Sequence, residues 1–262
     1  MTTRSIKEVV LCADDYALNA PVSQGIVALA VLGRLSATSV MSLSPRWAED
    51  AVALRDVRER LDVGVHLDWT SGFAIDAGHG RRLTEVRLRS VLRFYSQEQL
   101  ELQIAHQLDA FESQWQAAPD HIDSHQHVHE LPVFRRALMN VLMRRYGAQA
   151  HRPWVRVSGV TPLAKLAYGC GWPAVSPVLG AYGFNASMDD YARLMQMWLG
   201  SVPVDQTALI MCNPAVSAQA DDPLGNTRKR EFAYLAGHDF VQHLLDANVR
   251  VVRGSGKPML PV

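Results

Sequence analysis

Apolar residues fall along this chain in two alternating rhythms. Short runs rich in β-branched and aliphatic residues at 8–13 (EVVLCA), 37–43 (ATSVMSL), 62–67 (DVGVHL), 121–124 (HIDS), 154–157 (WVRV), 208–212 (ALIMC) and 249–252 (VRVV) predict strands. Between them, amphipathic stretches at 21–33, 45–60, 97–117, 131–146, 162–168, 189–199 and 230–247 predict helices. Strands alternating with long helices make βα units around a parallel sheet. The expected architecture is an α/β single-domain TIM-like (β/α) barrel of about seven parallel strands. Its active site belongs at the C-terminal strand ends, and an open doubly wound sheet is the alternative. Two segments break the rhythm. Residues 70–95 carry Gly72, Gly78, Gly80 and five arginines, and residues 173–186 are rich in Pro and Gly. Both are expected to be irregular, as active-site lids or loose loops. No repeat, low-complexity tract or composition break divides residues 1–262, so one domain is expected.

Composition narrows the function classes. Apolar residues make up 48% and charged residues 20%, the balance of a globular enzyme. Lys plus Arg equals Asp plus Glu at 26 each, so nothing suggests a basic nucleic-acid footprint. Cys12, Cys170 and Cys212 form no CxxC pair and no disulfide framework, which fits a reducing compartment. The first 15 residues reach Asp14 too soon for a secretory apolar region, and no run attains the roughly 18 apolar residues of a membrane span. The expectation is a cytoplasmic protein whose fold starts almost at its first residue.

The acids and histidines concentrate at strand ends. Asp14 and Asp15 close the first strand, His66 the third, and His121, Asp123, His125, His127 and His129 run through the end of the fourth. Adjacent carboxylates there repel each other and are costly to desolvate unless a cation compensates. Taken alone, the Asp pair reads more readily as a helix cap, and His66 as a hydrogen-bonded core residue. Three strand ends delivering such groups to one rim favour a metal site. In an extended segment the odd-numbered residues 121–129 would share a face, some binding metal and others orienting ligands or contacting substrate. Two imidazoles and a carboxylate suit a divalent ion that activates water, while a second carboxylate serves as base. The same trio describes an iron oxygenase, though on an antiparallel barrel. No GxSxG elbow, Walker loop or GxGxxG is present.

The segments ADDYALN (13–19), RLSATSVM (34–41), VGVHLDWT (63–70) and HIDSHQHVHELP (121–132) resemble, in order and spacing, the YdjC-like (ChbG-type) carbohydrate deacetylases. That resemblance implies a TIM-like barrel and hydrolysis of an N-acetyl group from a small acetylated sugar: a chito-oligosaccharide or a related amino sugar or glycolipid. It implies that Asp15, His66 and His125 ligate one divalent metal, zinc or magnesium. Asp14 would be the base and Arg156 the residue that orients it. MCNPAV (211–216) puts Asn213 where family members carry a histidine, which leaves His127, His129 and His238 as candidate proton donors. Arg230-Glu231 resembles a basic-acidic pair of the family. His127, His129, Trp69 and Asn213 are expected to meet the substrate, with Phe73, Tyr95 and Trp172 as further stacking candidates weighed against core packing. The alternatives are a catalytically altered metal- or carbohydrate-binding barrel and a hydrolase of another amide. Residues 188–199 are weighed as a homo-oligomer surface against a core helix.

Overall fold

In the computed structural model, which describes residues 5–259, nine strands form one sheet whose every pairing is parallel. Residues 1–4, where the fold was expected to begin, lie outside the described residues. The order is β1 (Lys7–Tyr16), α1 (Ala20–Val31), β2 (Ala37–Val40), α2 (Trp47–Arg55), β3 (Asp62–Leu67), α3 (Gly72–Asp76), α4 (Leu83–Val91) and α5 (Gln97–Trp115). It continues with β4 (His121–Ser124), a 3-10 turn (His125–Glu130), α6 (Phe134–Tyr146), β5 (Trp154–Arg156) and α7 (Pro162–Gly169). It ends with β6 (Ala174–Val175), β7 (Val178–Leu179), α8 (Met188–Ser201), β8 (Ala208–Cys212), α9 (Gly225–Ala236), α10 (His238–Asp246) and β9 (Val249–Val251).

The sheet runs β6-β5-β4-β3-β2-β1-β8-β7, with β9 beside the start of β1. Its two edges are halves of one segment: β6 pairs β5, β7 pairs β8, and only Ser176-Pro177 separates them. The sheet is thus joined through the chain itself into a nearly closed (β/α) barrel, which removes most of its exposed edge. All seven strands expected from the hydrophobic runs are present. The strands β6 and β7 were not expected, because Pro and Gly broke the apolar pattern of residues 173–186.

Strand alternation sorts the side chains. Along β1, Val9, Leu11 and Ala13 pack outward with the helices, whereas Val10 and Cys12 belong to a separate inner cluster with Ala37, Trp154, Leu209 and Met211. Asp14 continues the inner row. Ile122 and Val155 likewise face outward, so His121 and Asp123 of β4 and Trp154 and Arg156 of β5 face inward. The barrel floor is polar but fully paired. Arg253 donates from Nε to Asp62 Oδ1 (2.9 Å), and from its other nitrogens to the Glu59 and Leu61 carbonyls. Trp154 Nε1 donates to Asp62 Oδ2 (3.1 Å). One tier up, the His121 ring stacks on Trp154 at 4.3 Å and leans over Gly64, where a Cβ would fall 2.4 Å from the ring. Glycine is needed there for space.

Three further segments differ from expectation. Residues 70–95 hold α3 and α4, short helices capped or flanked by polar residues that masked their periodicity. The helix expected at 230–247 starts earlier, at Gly225, and breaks at Gly237, whose extended backbone (ψ 168°) interrupts it. Residues 125–130 leave the strand for a 3-10 turn in which Gln126 and His127 adopt φ of 55° and 57°. The histidines beyond His125 therefore do not share the face of His121. Tyr191, Met195, Trp198 and Leu199 of α8 are buried in the outer core, while Met188 and Met197 are exposed.

Candidate metal centre

The C-terminal ends of β1, β3 and β4 bring Asp15, His66 and His125 together, their donor atoms all within 4.8 Å of one another. Asp15 Oδ1 lies 3.4 Å from His66 Nε2 and 3.3 Å from His125 Nδ1. The backbone of Asp15 is left-handed (φ 66°), which turns its side chain out of the alternation that sends Asp14 inward. The two neighbouring carboxylates thereby point in different directions.

Two of the three ligand candidates, His66 and Asp15, are oriented from behind. His66 Nδ1 lies 2.6 Å from Asp123 Oδ1; a carboxylate only accepts, so Nδ1 carries the proton and Nε2 points toward Asp15. Burial alone would push His66 down, but Asp123, with Asp14 and Asp15 adding, outweighs it and raises the imidazole to about 9. Burial would raise Asp15, and the Arg228 guanidinium, which donates to Oδ2 at 2.7 Å, holds it well below the carboxylate range. A pocket that retains a proton so strongly is one of negative potential, and these donors fit a divalent cation.

Two other triads are close enough to hold an ion, Asp14-His66-Asp123 and Cys12-His121-Asp123. Both depend on Asp123, whose oxygens already meet His66 Nδ1, Ser39 Oγ (2.6 Å) and Arg156 Nη2 (2.6 Å). Burial also pushes the Cys12 thiol up, and Arg156 Nη2 sits 3.1 Å from its sulfur. A permanent cation already occupies that space.

Arg156 is the link between the two acids of the inner row. It donates from Nη1 to Asp14 Oδ2 (2.8 Å) and from Nη2 to Asp14 Oδ1 (2.5 Å), while facing Asp123 on its other side. Asp14 is 6% exposed and Arg156 fully buried.

The residues expected to meet substrate divide. His129 is buried with both nitrogens engaged, Nδ1 by Ser124 Oγ (2.7 Å) and Nε2 by the Arg156 carbonyl (2.9 Å), which leaves no atom for a ligand. Trp69 is 2% exposed, bonds Gln103 through Nε1 (2.9 Å) and packs edge-on against Phe134. Tyr95 packs on Phe134 as well, and Trp172 donates to the Pro153 carbonyl from inside the core. His127 is half-buried with Nδ1 unpartnered; burial, then Arg156, pushes it down to about 4. Its ring is neutral at pH 7. Asn213 is 8% exposed at the end of β8, its backbone N–H donating to Glu231 Oε2 (2.5 Å). His238 opens α10 on the exposed outside. An open cavity of about 710 Å³ lies over the site, walled by Phe73, Phe184, His125, Gln126, Asp222 and Arg228.

Sequence reasoning missed Arg228, and it missed the contacts of Glu231, which accepts from the Tyr182 hydroxyl and the Asn213 N–H. Thr227, Arg228, Glu231, Tyr234 and Leu235 are the buried face of α9. Arg230, the neighbour of Glu231 in sequence, donates instead to Thr227 Oγ1 (3.0 Å). Arg228 also meets Asp222 at 2.9 Å, and burial pushes the Glu231 carboxyl up to about 7.

A parallel barrel with an acid–imidazole cluster at its C-terminal rim is the class that fold and site define. Within that class, the chain belongs to the YdjC-like protein family, whose sequence profile matches residues 8–246. It is 28% identical over 259 residues to a carbohydrate deacetylase of Geobacillus stearothermophilus, covering 92% of this chain and 94% of that protein. It is 30% identical over 141 residues to a carbohydrate deacetylase of Halalkalibacterium halodurans, a match spanning 49% of this chain and 59% of that relative's length. Its fold is similar to a protein of Enterococcus faecalis V583 described as a cellobiose-phosphate cleavage protein, with a TM-score of 0.74 and 20% identity over 95% of this chain and 98% of the other. No helix among the described residues is long and apolar enough to cross a membrane.

Proposed function

We propose that the protein is a carbohydrate deacetylase that hydrolyses the acetamide of a small N-acetylated sugar, such as a chito-oligosaccharide or related amino sugar. The observation that carries this reading is the convergence of Asp15, His66 and His125 beside an Asp14 carboxylate gripped by Arg156. The carbohydrate deacetylases among its relatives support it. Asp15, His66 and His125 would hold one divalent ion, zinc or magnesium, and the imidazoles favour zinc. Such an ion, when bound, polarises the amide carbonyl and makes a nearby water more acidic.

The chain's own residues do the rest. Asp123 fixes the His66 tautomer, so that Nε2 offers its lone pair to the site. Arg228 occupies Asp15 Oδ2 and leaves Oδ1 for ligation. Arg156 holds and aims the Asp14 carboxylate, and each Asp14 oxygen retains a lone pair to take the proton of the attacking water. Asn213 does not titrate, His127 is neutral at pH 7 and His129 is fully engaged. Asp14, once protonated, is then the group that returns the proton to the departing amine. The cavity walled by Phe73 and Phe184 is where the sugar's apolar face would rest.

Titrating chelator-stripped protein with zinc tests the metal assignment by calorimetry. One equivalent is expected to bind, with affinity lost at least about 10-fold in His66→Ala and in Asp15→Asn. Binding that both variants retain would refute the site.

A further inference from the structure

The proposed chemistry leaves the outer face of α4 unused. Leu88, Val91 and Leu92 recur at i, i+3 and i+4, so they form one helical stripe, and Phe94 follows just beyond the helix end. These side chains are 60%, 67%, 50% and 64% exposed. The opposite face, carrying Val86 and Ser90, is the one that packs on the protein. A contiguous apolar crest of this kind marks an interaction surface, unlike scattered single exposures.

Its charge says what meets it. Residues 81–94 carry five arginines against the single carboxylate Glu85, a net charge of +4 in a chain whose total is zero. Arg81 bonds Glu85 at 2.7 Å, and Arg89 lies over the Tyr95 ring. Among the described residues Arg82, Arg87 and Arg93 are paired with no carboxylate. A second copy docked symmetrically on this face would set these guanidinium groups against their own copies, which is repulsive. An anionic bilayer is complementary on both counts. Phe94 and the aliphatic stripe would enter the headgroup–acyl boundary while the flanking arginines meet lipid phosphates.

We propose that α4 and the turn after it dock the protein peripherally on an anionic lipid surface. This does not rest on the deacetylase reading. Co-sedimentation of the full chain with phosphatidylglycerol vesicles, beside phosphatidylcholine vesicles, tests it. The wild type is expected to sediment with the anionic vesicles alone, and less as salt rises. Arg87→Gln and Arg93→Gln should each weaken binding about fivefold. The triple variant Leu88→Ser/Val91→Ser/Phe94→Ser should stay in the supernatant with an unchanged thermal melt, since these side chains are exposed. Failure of the wild type to sediment at low salt, or equal sedimentation of the triple variant, would overturn the proposal. So would concentration-dependent self-association of the wild type that the triple variant abolishes, which would assign the face to a second copy.

Discussion

At Arg156 one guanidinium faces Asp14 and Asp123, all three almost entirely out of solvent. Removing the cation would strand two buried carboxylates. Arg156→Met is therefore expected to destabilise the fold by about 3–5 kcal/mol in urea unfolding, and a change under about 1 kcal/mol would contradict this account of the site. Glu231 makes a second prediction. Its folded carboxyl titrates near about 7, against an ordinary value of 4.5, because burial disfavours the charge. With the folded value raised, its contribution to stability is complete below pH 4.5 and is lost as pH rises through 7, about 3 kcal/mol in all. Glu231→Gln should flatten the melting temperature over that window; an unchanged slope would assign it to other groups. Asp14, Asp15, His66 and His125 stood out in the sequence because acids and imidazoles rarely end apolar strands. Asp123 was visible only as a member of the histidine run, and Arg228 not at all. Its bond to Asp15 joins residues 213 apart, a pairing that local pattern does not encode.

Among the elements, strands β1, β3 and β8 were legible because each is an apolar run with a polar residue at or beside its end, and β4 because it leads into the histidine run. Their inward rows then follow from period-two alternation, which places Gly64 opposite the His121 ring. A Cβ at Gly64 would fall 2.4 Å from that ring. Gly64→Ala should cost about 1–3 kcal/mol by crowding the stack of His121 on Trp154. A melting temperature equal to wild type would show that the ring has room to move. What stayed hidden were elements whose residues break pattern. The turn after β4 uses left-handed Gln126 and His127, which no spacing of histidines reveals, and α3 and α4 are too short and too arginine-rich to show a clean stripe.

For the molecule as a whole, the alternation of strands and helices was enough to indicate a barrel, but not how it closes. Closure depends on Ala174–Val175 and Val178–Leu179, which pair with opposite edges of the sheet. The floor depends on Arg253 bonding Asp62, which is 0% exposed. Arg253→Leu should lower unfolding free energy by about 3 kcal/mol while leaving the rim intact. Metal affinity in that variant should therefore match wild type, and a loss would mean that floor and rim are coupled. The central claim concerns the rim, and acetate release from N-acetylglucosamine oligomers by zinc-loaded protein tests it most directly, with wild type beside Asp14→Asn. Metal-dependent release that falls at least about 100-fold in Asp14→Asn, with zinc still bound, is the predicted result. Release by Asp14→Asn at the wild-type rate, or none from wild type holding one equivalent of zinc, would contradict it.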